Sequence, residues 1–375
     1  MRILVAGNLA NMGFEIVKAL RDKGADVNLL MPKYPQKSED PQFMYPEIEN
    51  TGYPKWIITY DNKKRKFGLS NWKFQIIKEM RNNYDCIIAL TELSIFAMLS
   101  GKPYGALSTG SDMRELPFEK SLKGFLYKLS YKFARVVIWG ETDKYNLIKK
   151  LGIEQKAVFC TNPRNFDFNI QNIKKEEEIL NKIIIFHPTS QDWRLKGNNE
   201  FLNAFVKLCS ENENIFLIIS ERGPDLNKAK KILEENVSKE KYKFVPLLNS
   251  TLMQYYFNLS DIVIDQFKIG SIGMISVEAM KYGKPIFSYI NRKNFNQCYK
   301  NYPEGIINVE TCEEILSELK RMCKNFLLCK EMGEKNKKWI DQNWDISILT
   351  ERYLKICNAI KEDNINLVGN QSKLE

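Results

Sequence analysis

The sequence predicts an α/β chain of two Rossmann-like domains, each built on an open parallel sheet. Short, nearly continuous apolar runs alternate with amphipathic segments of helical period along most of the chain. This alternation occurs in two series, separated by the charged segment KKEEEI at 174–179. A length of 375 residues favours more than one domain with ample core.

The first series opens with RILVAG at 2–7, an amphipathic stretch ending LRDKG, and DVNLLMP at 26–32, which together form a βαβ unit. DCIIAL (85–90), PYGALST (103–109), RVVIWG (135–140) and AVFCTNP (157–163) complete it. The second series begins with KIIIFHP (182–188), followed by the helical FLNAFVKLCSE and the strand-like NIFLIIS (214–220). A Lys-rich helix, YKFVPLL (242–248), DIVIDQF (261–267) and KPIFSYI (284–290) follow. Strands apolar at every position are buried on both faces, as parallel sheets covered by helices require. Residues from about 311 to 362 read as helices, and DNINLVGNQSKLE as a frayed tail. The expected boundaries are 1–170 for the first domain, 171–340 for the second, 341–362 for a terminal helical segment and 363–375 for the tail. Two such domains bring the carboxyl ends of their sheets to a central cleft, where ligands of open α/β folds bind.

Composition narrows the chemistry. Hydrophobic residues make up 44% and charged residues 27% of the chain, as in soluble globular proteins. No run approaches the roughly 20 apolar residues of a membrane span, and MRILVAGN opens as a strand without signal-peptide layout, so the expected location is the cytoplasm. Cys86, Cys160, Cys209, Cys298, Cys312, Cys323, Cys329 and Cys357 are scattered without a CxxC pair or metal-ligand spacing, and read as reduced core residues. His187 is the single histidine, which removes most Ser-His-Asp, Cys-His and zinc chemistry; neither a metal nor a cofactor is expected. The net charge of +10 points to anionic partners.

Three segments carry candidate chemistry. GNLANMGFEIVKAL places Gly7 directly after the first strand and Gly13 near a helix start, so backbone amides there face a phosphate or sugar, or the turn serves strand–helix packing alone. It is not GxGxxG, and Met31 and Pro32 stand where a dinucleotide site wants an acid, so a nicotinamide cofactor is disfavoured. HPTSQDWRLKGNNEFLNAF holds Arg194 and Lys196 before an amphipathic helix, an arrangement suited to offsetting the charge of a departing diphosphate. The alternative there is a solvated basic loop. His187, at the end of its strand, either contacts phosphate or sugar in the cleft or is a satisfied structural imidazole. IGSIGMISVEAMKYGKPI supplies Gly270 and Gly273 before a helix bearing Glu278 and ended by Gly283. Amides at Gly273 and Met274 suit a phosphate, and the Glu278 carboxylate suits a vicinal diol such as a ribose. An acid that merely stabilises the helix start is the alternative.

KGNNEFLNAF, GPDL at 223–226, DIVID and GMISVEAMKYGKPI, in this order, resemble the carboxyl half of glycosyltransferase family 4 over about 182–362. The likeness extends more weakly to GKPYGALSTGSDMRELPF in the amino half. The resemblance implies the GT-B fold, with terminal helices crossing back to the first domain. It also implies metal-independent transfer, with retention, from a nucleotide-diphosphate sugar of UDP or GDP type. By that likeness Lys196 contacts donor phosphates, Glu278 binds the ribose, and amides beside Gly273 meet the diphosphate. The family's first acid of an E-x7-E pattern falls on Gly270, so that group is lacking. The arginine preceding its KG loop aligns near Thr189 or Ser190, with Arg194 as the candidate substitute, and its histidine of HG[ST]D falls on Thr109. Asp112 is then the candidate for an acceptor-hydroxyl contact, or else it caps the helix containing Arg114 and Glu115.

Two basic, aromatic segments, 62–80 and 119–136, suit an anionic membrane surface, or else are ordinary core-facing helices with solvated lysines. No nucleic-acid motif accompanies the charge. The expected function is a hexosyltransferase-type enzyme acting on a glycan or lipid-linked acceptor in cell-surface polysaccharide or glycoconjugate synthesis, either cytoplasmic or peripheral on the inner face of the cell membrane. The rivals are a nucleotide-sugar epimerase or hydrolase of the same fold, and a degenerate nucleotide-sugar-binding partner without activity.

Overall fold

Residues 1–63, 65–66, 69–164, 179, 181–211 and 213–373 are described in the computed structural model. The chain divides into two units, Met1–Asn165 with Trp344–Glu375, and Phe166–Asn343. The charged segment expected between the domains lies outside the described residues except at Ile179.

In the first unit the strands are β1 (Arg2–Ala6), β2 (Asp26–Pro32), β3 (Ile57–Tyr60), β4 (Arg65–Lys66), β5 (Leu69–Ser70), β6 (Cys86–Leu90), β7 (Tyr104–Leu107), β8 (Val136–Trp139) and β9 (Ala157–Phe159). Seven of them form one sheet in the order β3-β2-β1-β6-β7-β8-β9, and β4 pairs antiparallel with β5. All pairings in the large sheet are parallel. Every residue of β6, β7 and β8 is buried, as continuous apolar runs in a doubly covered sheet must be. The strand order reverses between β1 and β6, and the loops after those strands define the ligand-binding end of such a sheet.

The helix Ile346–Glu362 packs across β6, β7 and β8. Gly105 in β7 admits it closely: a Cβ there would lie 2.6 Å from Ile360 Cδ1. Arg352 Nε donates to Phe159 O at 2.9 Å, fixing the helix to the last strand. The terminal segment expected to fray is instead docked. Residues Ile365–Val368 form a 3-10 turn, Val368 is buried, and the Phe159 amide donates to Gln371 O at 2.7 Å. The free edge of β9 supplies that donor, which periodicity in a polar tail does not reveal.

The second unit holds β10 (Ile183–His187), β11 (Ile215–Ser220), β12 (Tyr242–Val245), β13 (Ile262–Ile264), β14 (Ile286–Ser288) and β15 (Ile306–Asn308). They form one parallel sheet, β12-β11-β10-β13-β14-β15. Phe201, Phe205 and Leu208 of the helix Asn198–Cys209 and Ile315, Leu319 and Met322 of the helix Cys312–Lys324 belong to one buried cluster over this sheet. The order reverses between β10 and β13, so the loops beyond His187 and Ile264 flank the switch point. These features give the expected fold class, two Rossmann-like domains of the α/β type. The edge strands β3 and β15 were missing from the expected strand runs: IITY is half polar and IIN is only three residues long.

All eight cysteines are free, and seven are buried, as expected of reduced core residues. Among the described residues, no helix is long and apolar enough to cross a membrane.

Candidate functional site

The site in the second unit grows from the ends of β10 and β13. His187 ends β10 and is completely buried. Asn198 Nδ2 donates to its Nε2 at 2.8 Å, so the proton is on Nδ1, which donates to Ile264 O at 3.1 Å. Burial pushes the imidazole down to about 4, against the opposing effects of the Ile264 carbonyl and Asp265. Both nitrogens are therefore occupied, and the ring ties β10 to β13 and to the helix that follows the basic loop.

That loop is built by capping. The Asp192 side chain accepts from the Leu195 amide at 3.0 Å and starts the short helix Trp193–Lys196. Gly197, at φ 69°, ends it in the left-handed region. A Cβ on Gly197 would lie 3.3 Å from Phe267 Cβ and 3.1 Å from Lys268 Cγ, so the loop lies directly on the segment after β13. The Phe267 amide donates to Lys196 O at 2.6 Å, and Lys196 Nζ donates to Gln266 Oε1 at 2.7 Å. Arg194, on the same short helix, is exposed.

Gln266 links this lysine to the glycine-bearing turn. It is buried, and its Nε2 donates to Ser271 O at 2.8 Å. Gly270 has φ +75°, and a Cβ there would lie 3.1 Å from Tyr289 Cε1 and 3.2 Å from Asn291 Cβ. Gly273 is the N-cap of the helix Met274–Lys281, whose first-turn amides have no intrahelical acceptor. Met274 is half-buried at its first position, and Glu278 is only 6% exposed one turn further on. Asp265, 1% exposed, accepts from the Thr189 hydroxyl at 3.1 Å and the Ser276 hydroxyl at 2.7 Å.

The structure thus assembles Lys196, Gly270, Gly273 and the intervening Asp265 and Gln266 around one switch point. The basic loop and the IGSIGM turn were separate motifs in the sequence; Gln266 joins them, and only the register of β10 against β13 makes that visible. Sequence reasoning also passed over Arg222, just beyond β11. Its Nη2 donates to Pro188 O at 3.4 Å and its Nε to Ser220 Oγ at 3.3 Å, beside Thr189, and burial lowers its pKa. The available signal was a cation directly after an apolar strand, in ERGP.

In the first unit Gly7 has φ +103° and its amide donates to Leu30 O at 2.8 Å. A Cβ on Gly13 would stand 2.0 Å from Gly7 O, so the two glycines allow the helix Met12–Asp22 to sit against the end of β1. Ala10 and Asn11 also have positive φ, and the Asn8 side chain accepts from the Phe14 amide at 2.7 Å. This is a strained, side-chain-braced loop at the switch point. Asp112, buried in the short helix Ser111–Arg114, accepts from the Gly110 amide at 2.6 Å, the Thr109 amide at 3.1 Å and the Tyr131 hydroxyl at 2.8 Å. Its carboxylate organises the STGSD loop from inside.

Beside it lies a partly buried charge network absent from the sequence expectations. Arg114 pairs with Asp143 at 2.6 Å and Glu141 at 2.9 Å, while the fully buried Lys144 pairs with Glu141 at 2.6 Å and donates to Ser108 O at 3.1 Å. Burial alone would raise the Glu141 carboxyl, but the Lys144 ammonium and the Arg114 guanidinium hold it at about 2.

The two sheets, their strand orders and their similarity to solved structures place the chain in the GT-B class of two-domain α/β proteins. Residues 169–339 match the family described as "Glycosyl transferases group 1". HepE from Anabaena, solved with UDP and glucose, superposes with a TM-score of 0.75 at 14% identity, covering 96% of this chain and 100% of that one. A glycosyltransferase from Rickettsia africae gives 0.67 at 17%, with 96% and 98% covered. A UDP-N-acetylglucosamine 2-epimerase gives 0.58 at 10%, with 95% of each chain covered. At such identities the likeness is one of fold. No curated protein matches the chain in sequence.

Proposed function

We propose that the chain is a retaining, metal-independent glycosyltransferase of hexosyltransferase type. It moves a sugar from a nucleotide-diphosphate donor, of UDP or GDP type, to a glycan or lipid-linked acceptor in cell-surface polysaccharide or glycoconjugate synthesis. The observation that carries this is the Lys196–Gln266 pair at 2.7 Å, which joins the basic loop to the turn before Met274–Lys281 within the family-matching region. Lys196 and Arg194 offset the charge of the departing diphosphate, the amides at Gly273 and Met274 hold it, and Glu278 accepts from the ribose diol. The leaving diphosphate takes the acceptor proton on the face it leaves, so a side-chain base is dispensable and the protein chiefly positions and stabilises.

His187 supports transfer over epimerisation. An epimerase or hydrolase needs acid and base side chains at the sugar, and the chain's single imidazole is buried with both nitrogens engaged. NMR of the product formed from an α-linked nucleotide sugar tests the mechanism: retention gives an α-linked product, and a β-linked product overturns it.

A further inference from the structure

The helix Leu122–Phe133 presents its apolar residues the wrong way round for a surface helix. Its buried side is made of Gly124, Tyr127, Ser130 and Tyr131. Leu122 is 75% exposed, Phe125 56% and Phe133 62%. At 3.6 residues per turn, Leu122, Leu126, Leu129 and Phe133 lie along one outward side with Phe125 beside them. The exposed Lys123 flanks this stripe on one edge, and the exposed Lys128 and Lys132 on the other. No acidic residue occurs between 120 and 134.

The stripe continues onto neighbouring elements. A groove of about 600 Å³ beside it is lined by Met98, Lys102, Pro103, Leu129, Phe133 and Arg135. Leu99, 51% exposed, ends the adjacent helix Leu93–Ser100, which packs against both Leu122–Phe133 and Trp72–Met80. The last of these helices exposes Phe74 to 71%. Side chains from 64 to 70, within the other basic segment, lie outside the described residues.

We infer that this face is a docking surface for an anionic lipid bilayer, with the helix Leu122–Phe133 lying in the interface plane. Large apolar side chains inserted at headgroup depth and lysines along both edges are what such a surface demands, and the charge selects anionic over neutral lipid. A protein partner or a second copy of the chain would have to carry an apolar strip edged by acids, whereas this face offers lysines to itself. The inference stands apart from the donor site, and its assay contains no nucleotide sugar, so failure of one leaves the other intact.

The test is co-sedimentation of the full chain with phosphatidylcholine vesicles, with and without phosphatidylglycerol. Binding should be more than tenfold tighter to the anionic vesicles and should weaken with added salt. Replacing Lys123, Lys128 and Lys132 by Glu should reduce it at least a hundredfold, since each lysine near such a surface contributes about fivefold. Phe125→Ser with Phe133→Ser should reduce binding to both vesicle types while thermal unfolding stays that of the parent. Equal affinity for neutral vesicles, no vesicle binding, or binding indifferent to both sets of substitutions would overturn the proposal. So would a concentration-dependent dimer that the same substitutions dissociate, without vesicle binding.

Discussion

Asp265 Oδ2 lies 2.5 Å from the position that a Cβ on Gly273 would occupy. The carboxylate cannot easily yield, because the Ser276 and Thr189 hydroxyls hold its two oxygens and it is almost fully buried. Glycine at 273 is therefore demanded by this contact, since φ there is an ordinary −84°. Gly273→Ala should force the start of Met274–Lys281 to shift and lower stability by roughly 1–3 kcal/mol, as overpacking does. Denaturant unfolding measures this, and an unchanged midpoint would show slack that the contact denies.

Gly270 is glycine for a different reason. Its φ of +75° is costly for an L side chain, by about 1–2 kcal/mol, and Tyr289 and Asn291 close in on the Cβ position. Gly270→Glu, which places an acid where the family pattern has one, should lower the midpoint by about that amount and bring no gain in sugar transfer. A variant as stable as the parent and faster in transfer would contradict this account of the position.

Lys196 and Glu278 should behave as donor contacts. Lys196→Ala removes the cation and strips Gln266 Oε1 of its donor; Glu278→Gln leaves one acceptor oxygen where a diol would use two. Each should weaken nucleotide-sugar binding, followed by calorimetry, by more than tenfold. Parent-like affinity in both would remove this site from the donor.

The buried neutral imidazole of His187 makes stability pH-dependent. Its folded value of about 4 lies below the 6.5 of an unfolded histidine, so the unfolded chain binds the extra proton between those values. Stability is then lost as pH falls through this window, by about 2 kcal/mol between pH 7 and pH 5. Because the chain has one histidine, His187→Asn should flatten that interval. Urea titrations at a series of pH values measure it, and a parent slope of zero between pH 7 and pH 5 would contradict the buried neutral ring.

Most of the fold was legible because parallel strands covered on both faces read as near-continuous apolar runs, as in CIIAL and VVIW. The edge strands IITY and IIN escaped because an edge tolerates polar residues and three residues carry no period. The site was legible as two motifs and not as one. Lys196 and Glu278 are legible as candidates through loop and helix context, whereas Gln266, Asp265 and Arg222 become candidates only through strand register and what their side chains meet. The Arg114–Asp143–Glu141–Lys144 network was invisible for a similar reason: only the fold sets the buried Lys144 against Glu141 and Ser108 O and brings Arg114 to both acids. His187 stood open between phosphate contact and structural role until Asn198 and Ile264 were seen to occupy its nitrogens.

The central claim is transfer itself. The most direct measurement is nucleotide release from a panel of UDP- and GDP-sugars, followed with and without glycan and lipid-linked acceptors. The account predicts release from at least one donor that depends on an acceptor, with the sugar recovered on that acceptor. Release or isomerisation that proceeds equally without acceptor, or donor binding without any turnover across the panel, would contradict it.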